Sequence, residues 1–148
     1  NIAVHTANAL LIYYLIILLI SNRTIAFYTS LLFSLHPVHT EAVSYINGLA
    51  EPLFFFFTAL AIIFFIKGRE NTTSYLASSL FQILALLSKE TAVVIPFVLV
   101  LLDITQRKFK WNKLVAYLPS FSISLAFIYL RLGVLNFGQT AASFLNPY

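Results

Sequence analysis

The side chains best suited to chemistry in this 148-residue sequence fall into two strings and one lone cation. The densest string is His36-Pro37-Val38-His39-Thr40-Glu41. Imidazole and carboxylate are common zinc ligands, but a catalytic zinc takes three well-placed protein ligands and this spacing is not HExxH, so metal binding has little support here. Pro37 lacks an N–H and has a fixed φ, which suits the first turn of a helix continuing over 38–49. On that helix His36 and His39 share one face, while Glu41, Ser44 and Gly48 share another. The second string is Ser88-Lys89-Glu90. Lys89 can hold a phosphate as a point charge, or its stem can simply snorkel to an interface. Neighbouring residues on a helix do not face one another, so Lys89 and Glu90 each require a different partner. Arg131, the lone cation, admits two readings: bidentate anion binding or a helix-end anchor.

These groups sit in an unusually apolar chain. Hydrophobic residues make up 60% and charged residues 9%, with mean hydropathy +0.90, whereas a soluble domain carries about 25% charge. Such a chain cannot cover itself with a water-soluble surface. Cysteine is absent, which excludes disulfides, Cys-zinc sites and CxxC redox motifs. Apolar runs at 2–20, 52–66 and 114–130, and shorter ones at 24–35, 75–88 and 91–102, predict a polytopic, all-α bundle of about six membrane helices. Residues 38–49 would add a short interfacial helix, and 1–148 would form part of one domain. With no initiating Met and no basic leader before the first run, the chain is expected to be an internal fragment.

Six alternating spans distribute the cations unevenly. Arg23, Lys67, Arg69, Arg107, Lys108, Lys110 and Lys113 fall on one side, against Lys89 and Arg131 on the other. Seven against two assigns the first side to the cytoplasm. The histidine string, Lys89, Glu90 and Arg131 then face outward. Reading 75–104 as one kinked span would invert the basic loop at 105–113 and bury Lys89 and Glu90, each costing roughly 2.5–3.5 kcal/mol, so a hairpin is expected at Lys89. Because run 24–35 rises only about 18 Å as a helix, His36–Glu41 is expected at the floor of an outward cavity. The sequons at Asn22 and Asn71 fall on the cytoplasmic side and should be unmodified. The basic loop is a topology signal that can touch anionic lipid, and no nucleic-acid partner is implied.

The strings Leu35-His36-Pro37-Val38-His39-Thr40-Glu41-Ala42-Val43 and Leu87-Ser88-Lys89-Glu90-Thr91-Ala92-Val93-Val94-Ile95-Pro96 resemble two signatures of the TMTC family, the transmembrane and tetratricopeptide-repeat protein O-mannosyltransferases. Asn8, Gly48, Glu51, Asp103, Arg131 and Asn146-Pro147 extend the resemblance over nearly the whole chain. It implies a GT-C type membrane glycosyltransferase moving a sugar, mannose in the animal members, from a polyprenyl-phosphate donor to Ser or Thr of an acceptor protein. The active side would be extracytoplasmic, meaning the ER lumen in eukaryotes or the outer face of a prokaryotic cytoplasmic membrane. Lys89 and Arg131 would hold the donor phosphate. His36, His39, Thr40 and Glu41 would line the cavity, with Glu51 and Glu90 as partners for the cations, and no cofactor is implied. The catalytic carboxylate is expected in a loop upstream of residue 1, Glu41 being the candidate inside the chain, and tetratricopeptide repeats are expected downstream. Leu49 stands where relatives often carry Arg, a departure bearing on donor specificity. A proton-coupled secondary transporter and a structural membrane subunit are the alternative classes; the first predicts inverted repeats, and none is visible.

Overall fold

The computed structural model describes residues 1–40, 48–69, 71, 73–108 and 111–134. Among them every regular element is helical: α1 (Ile2–Ile20), α2 (Arg23–Leu35), α3 (Ala50–Gly68), α4 (Thr73–Ser88), α5 (Ile95–Thr105) and α6 (Leu118–Tyr129). Short 3-10 turns occupy Pro37–His39, Glu90–Val94 and Trp111–Ala116, and a π turn, Leu130–Val134, extends α6.

Local chemistry sets the breaks. Ser21 takes the left-handed conformation at φ 58° and returns its N–H to Ile17 O. Asn22 then caps α2, its side chain accepting from the Thr24 and Ile25 N–H groups, so two residues suffice to reverse the chain. α3 and α4 form the most extensive helix pair. Their approach depends on Gly68, where an added Cβ would lie 2.6 Å from the Tyr75 ring. Lys89 is extended (φ −156°, ψ 132°) and starts the next reversal. The expected run 91–102 shifts to a helix at 95–105, because residues 90–94 tighten into a 3-10 turn and Pro96 sits in the first turn of α5. Pro119 likewise starts α6, later than the run at 114–130 predicts.

Side-chain bonds between helix ends fix each helix's direction. His5 in α1 meets His39 beyond α2, while Gln106 after α5 reaches Leu19 O near the end of α1. Lys89 pairs with Glu51 at the start of α3, and Arg69 just past α3 pairs with Asp103 near the end of α5. Tyr117, before α6, bonds Asp103, and Arg131 beyond α6 pairs with Glu90. The six helices therefore alternate in direction, and the Lys89 break is a hairpin, as expected. Thr73–Ser88 and Ile95–Thr105 run in opposite senses.

The core is built from Ile62, Phe65, Ile66, Ala85, Leu86, Ala92, Ile95, Leu99 and Tyr117. Two polar side chains buried among the helices bond across them. Gln82 donates to Ser120 O and Ser124 Oγ and accepts from Ser120 Oγ, and Ser78 donates to Ala61 O at 2.7 Å. Bonds of this kind join helices where no water competes. Outward positions are strongly apolar: Leu10, Leu32, Leu76, Leu87, Phe97 and Leu125 are all exposed. α1 and α3 are long and apolar enough to cross a bilayer. The other four are shorter than the roughly 20 residues of a simple span. Of the expected interfacial helix over 38–49, residues 41–47, including Glu41 and Ser44, lie outside the described residues.

Candidate functional site

Helix alternation gathers the singled-out polar residues at one end of the bundle. There the opening residues of α1 and α3 meet the turns after α2, α4 and α6. Two clefts lie side by side. The larger, about 620 Å³, is lined by Leu86, Leu87, Phe127 and Leu130 together with Ser88, Lys89, Glu90 and Arg131. Its walls are aliphatic and aromatic, and its charges sit along one edge. The smaller, about 180 Å³, is lined by His5, Asn8, Phe33, His39, Glu51, Pro52, Phe54 and Phe55. The ion pair from Lys89 to Glu51 joins them. Where the sequence predicts one cavity with two walls, the structure holds two clefts bridged by that pair, because Glu51 in the first turn of α3 stands between the histidines and the lysine.

Each cation has its own carboxylate. Lys89 bonds Glu51 and Arg131 bonds Glu90; Lys89, extended, and Glu90, which opens the next 3-10 turn, are adjacent yet serve different helices. These side chains are 36–56% exposed, so water screens the pairs and the charges are free to exchange partners.

In the smaller cleft Phe33 is central, stacked on His5 with centroids 5.1 Å apart, on Phe55 at 5.4 Å, and tilted against His39 at 4.3 Å. The His5 Nε2–H donates to Ser34 O at 3.4 Å. His39 is half-buried, and its pKa is lowered by partial burial and by the fields of His5 and His36. It is therefore held as neutral imidazole, able to donate from one nitrogen and accept at the other. His36 and Thr40 are exposed and line neither cleft. The His36 Nδ1 is occupied instead, accepting the Val38 N–H at 3.2 Å and capping the Pro37 turn. Glu41 lies outside the described residues.

Two participants on α1 carry no site role in the sequence reading, although Asn8 is part of the family resemblance. Asn8 is buried, donating from Nδ2 to Pro52 O at 2.9 Å, and its Oδ1 has no partner among the described residues. His5 precedes it by three residues, and that spacing on an otherwise apolar helix is the signal that identifies one polar face. At the opposite end of the bundle a further cluster forms. Arg69 donates to Asp103 and, at 3.0 Å, to Gln106, while the Tyr117 hydroxyl donates to Asp103 at 2.6 Å.

No protein-family model matches the chain, and no solved structure matches it. Among curated proteins, it is 42% identical over 93 residues, 61% of the chain, to protein O-mannosyl-transferase F38B6.6 of Caenorhabditis elegans. It is 36% identical over 105 residues, 63% of the chain, to protein O-mannosyl-transferase TMTC1 of Mus musculus. The chain spans 13% and 11% of the length of these relatives. By sequence, the chain is TMTC-like.

Proposed function

We propose that this chain is part of a polytopic GT-C type membrane glycosyltransferase that moves a sugar, mannose by analogy with the O-mannosyl-transferases it resembles, from a polyprenyl-phosphate donor to Ser or Thr of an acceptor protein. The observation that carries the reading is the larger cleft, which combines apolar walls with Lys89 and Arg131 at its edge. That is the chemistry of an amphipathic anion: a prenyl chain against Leu86, Leu87, Phe127 and Leu130, and a phosphate at the cations. Phosphate entering the cleft displaces Glu51 and Glu90 from their partners. Both cations then neutralise charge as the sugar–phosphate bond breaks and polyprenyl phosphate departs. His39, held neutral, hydrogen-bonds donor or acceptor hydroxyls from the adjoining cleft. The acceptor hydroxyl proton passes to a carboxylate acting as general base.

The proposal includes six membrane crossings with the site outside the cytoplasm. Arg23, Lys67, Arg69, Arg107 and Lys108 all belong to the end of the bundle opposite the clefts, which supports that orientation. The test is sugar transfer by the full-length protein from polyprenyl-phosphate donors, comparing wild type with Lys89→Ala, Arg131→Ala and Glu41→Ala. Loss of transfer in the two cation variants is expected, and unchanged transfer in both would sink the site. N-glycosylation at Asn22 or Asn71 in eukaryotic cells would invert the orientation.

A further inference from the structure

The end of the bundle opposite the candidate site has its own cleft, of about 240 Å³, lined by Phe65, Arg69, Tyr75, Asp103, Arg107, Lys108, Ala116 and Tyr117. Among the described residues it carries three cations and one carboxylate, and that carboxylate is already committed. One Asp103 oxygen accepts from Arg69 and the other from the Tyr117 hydroxyl. Asp103 therefore offsets Arg69, and the exposed Arg107 and Lys108 remain as surplus positive charge. The Arg69 Nε–H is buried and has no partner among the described residues, which leaves an unfilled donor beside the cleft.

Backbone geometry adds a second observation. The Arg107 N–H bonds Ile104 O and the Lys108 N–H bonds Asp103 O, the two bonds of a Schellman motif, with Arg107 at its left-handed position, φ 53°. Glycine is the residue that suits that position; any other costs about 1 kcal/mol. An arginine held there at a cost in stability points to a use for its charge.

A third observation names the ligand. Gln106 bonds Arg69 at the polar cleft and also lines an adjoining apolar groove of about 370 Å³ with Leu19, Ile20, Val98, Leu101, Leu102 and Thr105. Surplus positive charge beside an apolar groove complements a molecule with an anionic head and hydrocarbon tails. We infer that the Arg69–Arg107–Lys108 cleft binds the phosphate headgroup of an anionic phospholipid, its acyl chain lying in the groove between the ends of α1 and α5. The inference rests on the membrane reading above but not on the sugar-transfer site, which lies at the other end of the helices.

Full-length protein in nanodiscs of phosphatidylcholine and phosphatidylglycerol, released and weighed by native mass spectrometry, is expected to retain phosphatidylglycerol preferentially. Arg107→Gly and Lys108→Ala should each lower that retention about fivefold, the loss expected for one basic residue at an anionic surface. Arg107→Gly should also unfold no more readily than wild type, because glycine relieves the left-handed position. No preference for phosphatidylglycerol, or retention unchanged in both variants, would overturn the inference. Displacement of the lipid by an excess of inorganic phosphate would overturn the lipid assignment, since free phosphate has no chain to fill the groove.

Discussion

Replacing Lys89 with Ala separates a structural ion pair from a phosphate-binding one. The Lys89 and Glu51 side chains are 36% and 56% exposed. A pair that wet contributes about 0–1 kcal/mol to stability, so Lys89→Ala should leave the unfolding midpoint nearly unchanged. An ammonium donating to a phosphate contributes about 1.5–3 kcal/mol, so the same variant should weaken donor binding about 10- to 150-fold. Glu51 competes with that phosphate for the ammonium. Glu51→Gln should therefore tighten donor binding, by up to about fivefold from the strength of an exposed pair, and this gain should vanish in the Lys89→Ala background. Titration of full-length protein in nanodiscs with a polyprenyl-phosphate sugar, alongside thermal unfolding of the same samples, reads both quantities. Wild-type affinity in Lys89→Ala would refute the reasoning, as would a destabilisation large enough to account for the lost binding. So would an equal effect of Glu51→Gln with and without the lysine.

Gly68→Ala puts a methyl where the Tyr75 ring already lies, and overpacking of this kind costs about 1–3 kcal/mol; a lowered unfolding midpoint in detergent checks it. Gln82→Leu strands the Ser120 and Ser124 groups it serves and should cost about 1–3 kcal/mol, whereas adding Ser120→Ala and Ser124→Ala should recover part of that loss. His39 has a folded pKa below its ordinary 6.5, so the folded state binds this proton less readily than the unfolded chain. Its contribution to stability is whole above pH 6.5 and is lost as pH falls through the lowered value. His39→Gln should flatten the pH dependence of the unfolding midpoint in that window.

The helices were legible because apolar runs and their breaks are local properties. The end of α1 at Ile20 follows from Ser21-Asn22, and the Lys89 hairpin follows from the cost of burying two charges in mid-span. The start of α5 was misplaced by four residues, since apolar periodicity does not distinguish a 3-10 turn from the helix that follows it. Pairings across the bundle lie beyond any local rule. Nothing in spacing joins Glu51 to Lys89 or Asn8 to Pro52, 38 and 44 residues apart, because each contact depends on how α1, α3 and α4 pack. Arg69 and Asp103 were hidden for another reason. Arg69 was read through the cation balance of loops, which registers sign and side but no partner, and Asp103 only as a match to the family.

The π turn that carries Arg131 has a consequence for how this end of the molecule tolerates change. A π turn holds one residue more than an α turn, so it acts as a phase shifter at the end of α6. Arg131 reaches Glu90 from within that shift. Its aim is thus encoded by residue count more than by residue type. Conservative replacements at Leu130 or Leu132 preserve it, while deletion of Leu130, between the body of α6 and Arg131, swings the guanidinium by about 100° around the helix axis. Length variation is accordingly better tolerated in the loops than at this one turn.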